Sequence, residues 1–159
     1  MTDPKPIQSI LFICTGNICR SPLAEGIARK LCREMKLSLT IDSAATSGYH
    51  AGEPPCPGSR KVAGLHGIDI TGSRARRVTL EDPLLFDLLV VMDESNRAVL
   101  EARGITDVVK LGDFGAGGSD VPDPYYYEGF EGFHQVYAMV ETCTKALLES
   151  VQKHPFPEA

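Results

Sequence analysis

The stretch from Ser9 to Pro22, Ser-Ile-Leu-Phe-Ile-Cys-Thr-Gly-Asn-Ile-Cys-Arg-Ser-Pro, constrains this chain more than any other. The apolar run Ile10 to Ile13 reads as a buried strand, and it ends on Cys14. Five residues separate Cys14 from Arg20. Ser21 and Pro22 follow, and then a helical pattern puts Leu23, Ile27, Leu31 and Met35 on one face, with Ala24, Ala28 and Cys32 beside them. Strand, tight loop and helix start are thus adjacent. Such a loop points backbone N–H groups at one spot and suits a bound anion. Here a sulfur lies at one end of the loop and a fixed cation at the other. The simplest chemistry for that pair is attack by Cys14 on a phosphate held by the loop and Arg20.

The rest of the chain continues the alternation. Further strands are expected over 39–43, 86–92 and 107–111. Helices are expected over 22–35, 59–66, 94–102 and 132–153, the last with Phe133, Val136, Tyr137, Val140, Cys143 and Leu147 on its buried side. Strands alternating with helices predict an α/β fold: a single domain with a four-stranded parallel twisted sheet, helices on both faces, and the phosphate loop after the first strand. The 159 residues suit one domain, with 1–8 a flexible N-terminal extension and 154–159 a flexible tail. Ligands of such sheets bind beyond the carboxyl ends of the strands, where Cys14 is expected.

Charge and composition narrow the function classes. A net charge of −5 argues against a nucleic-acid partner, which calls for a basic footprint. No apolar stretch approaches the roughly 20 residues of a membrane helix, and no membrane association is expected. The N-terminus lacks a signal-peptide core, so a cytoplasmic location is expected. Five cysteines stand at 14, 19, 32, 56 and 143, an odd and scattered set that predicts no disulfide framework. Nothing has metal-ligand spacing, so no metal and no cofactor are expected.

A free cysteine is usually buried and inert. The position of Cys14 reverses that expectation, because a helix N-terminus, converging N–H groups and Arg20 all favour a thiolate. Thr15, Gly16, Asn17, Ile18, Cys19 and Ser21 complete the phosphate-binding loop. Gly16 lets backbone approach a ligand, and Asn17 tolerates a left-handed conformation and can brace the loop from inside. Ser21 is expected to cap the helix, and a second role, donating to the sulfur, competes for the same hydroxyl. An arginine in a first helical turn opposes the helix dipole unless an anion lies between them. Arg20 has the planar fork to hold two phosphate oxygens.

An ester also needs a proton for its leaving group. His50, His66, His134 and His154 are scattered, whereas Asp123 is set between Pro122 and Pro124 on a stiff mount that suits a general acid. Tyr125, Tyr126 and Tyr127 follow, and aromatic walls at a pocket mouth would grip an aryl group. The surrounding loop, 112–129, is long for a compact domain and is expected to be functional.

With these residues in view, the chain resembles the low-molecular-weight protein tyrosine phosphatases over nearly its whole length. The family's Cys-x5-Arg-Ser loop corresponds to Cys14 to Ser21, and its Asp-Pro-Tyr motif to Asp123-Pro124-Tyr125. Further matches are Asp42 to Tyr49, His66 to Ile68, Ala75-Arg76, Phe86-Asp87 and Met92 to Asn96. The resemblance implies hydrolysis of phosphotyrosine and small aryl phosphates through a cysteinyl-phosphate, with Cys14 as nucleophile, Arg20 as phosphate clamp and Asp123 as general acid and then base. It implies loop support from Asn17, Ser21 and Ser43, and an aryl pocket of Ile18, Tyr49, Tyr125 and Tyr126. It also implies that peroxide joins Cys14 to Cys19 and so protects the nucleophile. Ala45 departs from a glycine common in the family, and Ser73 stands where some members carry a histidine of the loop-supporting network.

The implied partners are phosphotyrosine-containing proteins, with inorganic phosphate as product and competitive inhibitor, and the chain is expected as a monomer or weak dimer. Three other readings are weighed. An arsenate reductase needs resolving cysteines that 67–130 lacks. A protein-arginine phosphatase favours a threonine where Ile18 stands. A non-catalytic phosphate or phosphotyrosine-binding module would have no use for Asp123.

Overall fold

The structure is a computed structural model that describes residues 6–127 and 129–153, the side chain of Tyr126 excepted. Its sheet has four parallel strands: β1 (Ser9–Cys14), β2 (Thr40–Ala45), β3 (Leu88–Val91) and β4 (Val109–Lys110), in the order β2-β1-β3-β4. The first strand in sequence is therefore interior and pairs on both edges. That position explains its unbroken apolar run, since Ile10 to Ile13 are all fully buried. Alternation along β1 splits the core in two. Ile10, Phe12 and Cys14 face α1 (Arg20–Met35) and α5 (Glu131–Lys153), while Leu11 and Ile13 pack with Leu89, Val91 and Leu100 of α4 (Glu94–Ala102). The fold class read from the sequence is the one observed.

Two smaller helices complete the chain: α2 (Pro57–Leu65), packed by α1 and α5, and α3 (Asp82–Leu85), just ahead of β3. Gly58 of α2 lies so close to Phe133 of α5 that an added Cβ would sit 2.3 Å from the ring. Glycine there lets the two helices meet.

Apart from α3, which the sequence reading did not include, the differences in secondary structure are at boundaries. Helix α1 begins at Arg20 rather than Pro22, so Ser21 is inside its first turn, and Cys19 occupies the N-cap with no side-chain cap bond. The expected capping role of Ser21 is thereby corrected, because its hydroxyl is turned to the loop instead. Strand β2 runs on to Ala45, whose N–H donates to Arg76 O at 2.7 Å, so alanine in place of glycine leaves the strand intact. Gln8, expected in a free extension, is tied down: its N–H donates to Asp87 Oδ2 at 2.8 Å and its carbonyl accepts from Thr40 N at 2.9 Å. Residues 1–5 and 154–159 lie outside the described residues. No helix among the described residues is long and apolar enough to cross a membrane.

Candidate active site

The carboxyl end of β1 delivers Cys14 into a cleft of about 510 Å³, lined also by Thr15, Gly16, Ile18, Cys19, Arg20, Tyr49, Asp123 and Tyr125. Cys14 Sγ lies 3.0 Å from Ser21 Oγ and accepts the Asn17 N–H at 3.2 Å. Asn17 has a left-handed backbone, φ 57°, which turns that N–H inward. Its side chain sets the polarity of everything behind the loop. Asn17 Oδ1 accepts the backbone N–H of Arg76 at 3.1 Å, which fixes the amide orientation. Nδ2 must then donate, and it does so to Ser21 Oγ at 2.8 Å and Ser43 Oγ at 2.9 Å. Ser21 keeps one proton, and the sulfur of Cys14 is the acceptor beside it. Ser43 sends its own proton to Glu25 Oε1 at 2.5 Å. Glu25 is buried and ion-paired to Arg29. Burial pushes its carboxyl pKa up, against the opposing pull of Ser43 and Arg29.

Arg20 is almost wholly buried at the base of the cleft. Its Nη1 donates to Asp93 Oδ2 at 2.7 Å and to Val121 O at 2.9 Å, and its Nη2 reaches Thr15 Oγ1 at 3.4 Å. Burial alone would lower its pKa, but the charge of Cys14, the contacts with Asp93 and the charge of Asp123 outweigh that and raise it. A permanent cation is thus held beside Asp93 at the base of the cleft that Cys14 and Asp123 line, with Nε uncommitted by these contacts. Thr15 Oγ1 also accepts from Asn96 Nδ2 at 3.1 Å. Gly16 has a second reason to lack a side chain, since an added Cβ would meet the His50 ring at 3.0 Å.

Across the cleft Asp123 Oδ1 accepts the Tyr125 N–H at 2.9 Å, which holds the carboxylate at the head of the turn Pro124–Tyr126. The Tyr125 ring stands edge-on to Phe133, with centroids 5.4 Å apart, and remains largely exposed. Tyr49 is 84% exposed and contacts His50 edge-on. Two exposed rings lining one cleft suit a flat ligand. The expected pocket role of Tyr126 lies outside the described side chains.

The structure adds residues that sequence reasoning missed. Asp93 caps α4 through Oδ1, at 2.8 Å from Asn96 N, and anchors Arg20 through Oδ2. Its signal was the Asp-x-x-Asn capping pattern directly after a buried strand. Ser47 and His50 also line the cleft. Glu25 and Arg76 carried no signal, since a charged residue in a helix or loop reads as a solvated one. The Arg76 backbone N–H braces Asn17 from behind the loop.

Cys19 is disulfide-bonded to Cys56, with Cα atoms 5.5 Å apart, and Cys14 is not disulfide-bonded. The cysteine pattern predicted no disulfide framework, and this one bond departs from that reading. The cause is the docking of α2 on the far end of the loop. Cys56 N–H donates to Ile18 O at 2.7 Å, and the buried Ser59 hydroxyl donates to Cys19 O at 3.0 Å. These contacts bring Cys56 against Cys19, while the Cys14 sulfur is turned to Ser21 and Asn17. A separation of 37 residues hid the pair in the sequence. Among the described residues no cluster of three or more His, Cys, Asp or Glu side chains could hold a metal.

A parallel sheet carrying a cysteine, an N–H-lined loop and a buried arginine at one carboxyl edge defines a phosphate-loop α/β enzyme. Residues 9–155 match the family model of the low molecular weight phosphotyrosine protein phosphatases, and the chain belongs to that family. It is 37% identical over 153 residues to the low molecular weight protein-tyrosine-phosphatase YfkJ of Bacillus subtilis, covering 91% of this chain and 96% of that protein. It is 37% identical over 150 residues to the human low molecular weight phosphotyrosine protein phosphatase, covering 89% and 94%. A product-state mimic structure of the Entamoeba histolytica protein tyrosine phosphatase superposes with a TM-score of 0.86 at 32% identity, covering 95% and 99%.

Proposed function

We propose that Cys14 attacks the phosphorus of phosphotyrosine and that the enzyme turns over through a cysteinyl-phosphate. The observation that carries this reading is the sulfur of Cys14, held by Ser21 Oγ and Asn17 N–H in a cleft that Arg20, Asp123 and Tyr125 also line. In the first step the Cys14 thiolate displaces the tyrosyl oxygen, and the Asp123 carboxylic acid gives that oxygen its proton. Arg20 Nε and the loop N–H groups take the equatorial oxygens. In the second step water attacks the phosphorus, Asp123 accepts its proton, and Cys14 leaves into the hydrogen bonds of Ser21 and Asn17. Inorganic phosphate is the product and competes for the same loop. The substrates are phosphotyrosine-containing proteins, read from Tyr49, Tyr125 and the apolar Ile18, which favour a flat aryl group over a hydrated phosphoguanidinium.

Steady-state kinetics on aryl phosphates of graded leaving-group pKa test the assignment. Cys14→Ser should abolish turnover and still bind phosphate. Asp123→Ala should slow poor leaving groups by roughly 10²–10⁴-fold and good ones much less. Equal losses across the series would refute the acid assignment. Phosphoarginine peptides turned over faster than phosphotyrosine peptides would refute the substrate class.

A further inference from the structure

The cleft holds more cysteine than the phosphatase reaction uses. Cys14 and Cys19 line the same cleft, and Cys19 is bonded to Cys56 behind it. The remaining thiols, Cys32 and Cys143, are buried in the core. The disulfide leaves the nucleophile's surroundings intact, since Cys14 keeps Ser21 and Asn17 as partners. Contacts besides the disulfide also hold α2 to the loop. Cys56 N–H donates to Ile18 O and Ser59 Oγ to Cys19 O, and Ser59 Oγ is 3.3 Å from Cys56 Sγ. Cys56 therefore stays beside Cys19 when the bond is open, at a Cα separation of 5.5 Å that suits closing it again.

We propose that this site has a second activity, reduction of hydroperoxides, in which Cys14, Cys19 and Cys56 pass one oxidation along in that order and store it as the Cys19–Cys56 disulfide. The proposal rests on the reading of Cys14 as the reactive thiolate. Cys14 takes the terminal oxygen of the hydroperoxide, the O–O bond breaks, and an alcohol or water leaves. The resulting Cys14 sulfenic acid is attacked at sulfur by Cys19, whose proton leaves with the hydroxide as water, and a Cys14–Cys19 bond forms. The Cys56 thiolate then attacks the Cys19 sulfur, the Cys14–Cys19 bond breaks, and Cys14 departs as thiolate into the Ser21 and Asn17 hydrogen bonds. In sum, one hydroperoxide gains two electrons, the Cys19 and Cys56 thiols lose them, and Cys14 is unchanged. An external dithiol reopens Cys19–Cys56 and closes the cycle. In a reducing compartment such a bond is transient and functional rather than a static brace. Phosphatase capacity returns as soon as Cys14 departs, because the oxidised resting state has a free nucleophile.

The test starts from fully reduced protein treated with one equivalent of hydrogen peroxide, alkylated, and mapped by non-reducing peptide mass spectrometry, with aryl phosphatase activity read in parallel. Wild type should yield the Cys19–Cys56 disulfide with Cys14 alkylated and activity kept. Cys56→Ser, active like wild type before treatment, should stop at Cys14–Cys19 and lose activity until dithiol is added. Cys14→Ser should form Cys19–Cys56 at least roughly tenfold more slowly, since the entry thiolate is gone. A wild-type product of Cys14–Cys19 or of over-oxidised Cys14 would overturn the proposal, as would a Cys14→Ser rate equal to wild type. These two outcomes decide the matter even if Cys56→Ser fails to fold. Inactivity of the reduced, peroxide-free wild type on aryl phosphate would instead count against the phosphatase reading and leave the mapping result to stand by itself.

Discussion

Asn17 determines which way every proton behind the loop points. With its carbonyl oxygen committed to the Arg76 N–H, its amide can only donate, and both serines must turn their own hydrogens outward. One turns to the sulfur of Cys14 and the other to Glu25. Glu25 is the far terminus of that chain, and burial raises its pKa above the ordinary 4.5 despite Ser43 and Arg29. The stability tied to this group is fully present below the unfolded value and is lost as pH rises through the folded one. Glu25→Gln keeps an acceptor for Ser43 and removes the titration. Its melting temperature relative to wild type should therefore climb between pH 4 and pH 8. A difference that stays flat across that range would show that the carboxyl does not titrate with folding. At this scale the sequence was legible where chemistry and spacing coincide, as at Cys14, Arg20 and Asp123. It was silent at Glu25, because only the fold shows that a mid-helix carboxylate turns inward.

Asp93 joins two elements with one carboxylate. One oxygen caps α4, and the other holds Arg20 at the start of α1. Burial opposes its ionisation, but Arg20 and the Asn96 N–H hold its pKa below the ordinary value. Asparagine is nearly as good a cap as aspartate. Asp93→Asn should thus leave the helix in place and weaken only the grip on the guanidinium. A hydrogen bond to a charged group is worth roughly 1.5–3 kcal/mol, so kcat/KM should fall by about 10–100-fold with little change in melting temperature. A variant that loses stability and keeps its rate would show the reverse division of labour. Helix α4 was readable to the residue, because its cap and its stop lie in the chain itself. The start of α1 was misread by two residues, since its N-cap is a cysteine whose role comes from the loop and not from capping chemistry. Residues 82–85 had no periodicity long enough to reveal a single helical turn.

Across the whole molecule the Cys19–Cys56 bond closes a loop of 37 residues that includes α1 and β2. Chain entropy assigns such a closure about 4 kcal/mol. For a domain of this size, reduction should lower the melting temperature by roughly 8–16 °C. Calorimetry with and without a dithiol measures the drop, and no drop in wild type, or an equal drop in Cys56→Ser, would remove the bond from the stability account. The architecture was legible because strand–helix alternation admits few topologies. The disulfide was not, since its partners meet only through the docking of α2.

The order of β1, Asp123 and α5 along the chain bears on how the protein comes into being. The loop that carries Cys14 precedes Asp123 and the Phe133 support of Tyr125 by about a hundred residues, so it leaves the ribosome before they do. A chain interrupted before Asp123 has the Cys14 sulfur without the carboxyl group and ring that line the cleft with it, and one interrupted before α5 lacks the Phe133 support of Tyr125. The complete cleft therefore arrives with α5, and a copy that stops short of it is a thiol and not yet a phosphatase.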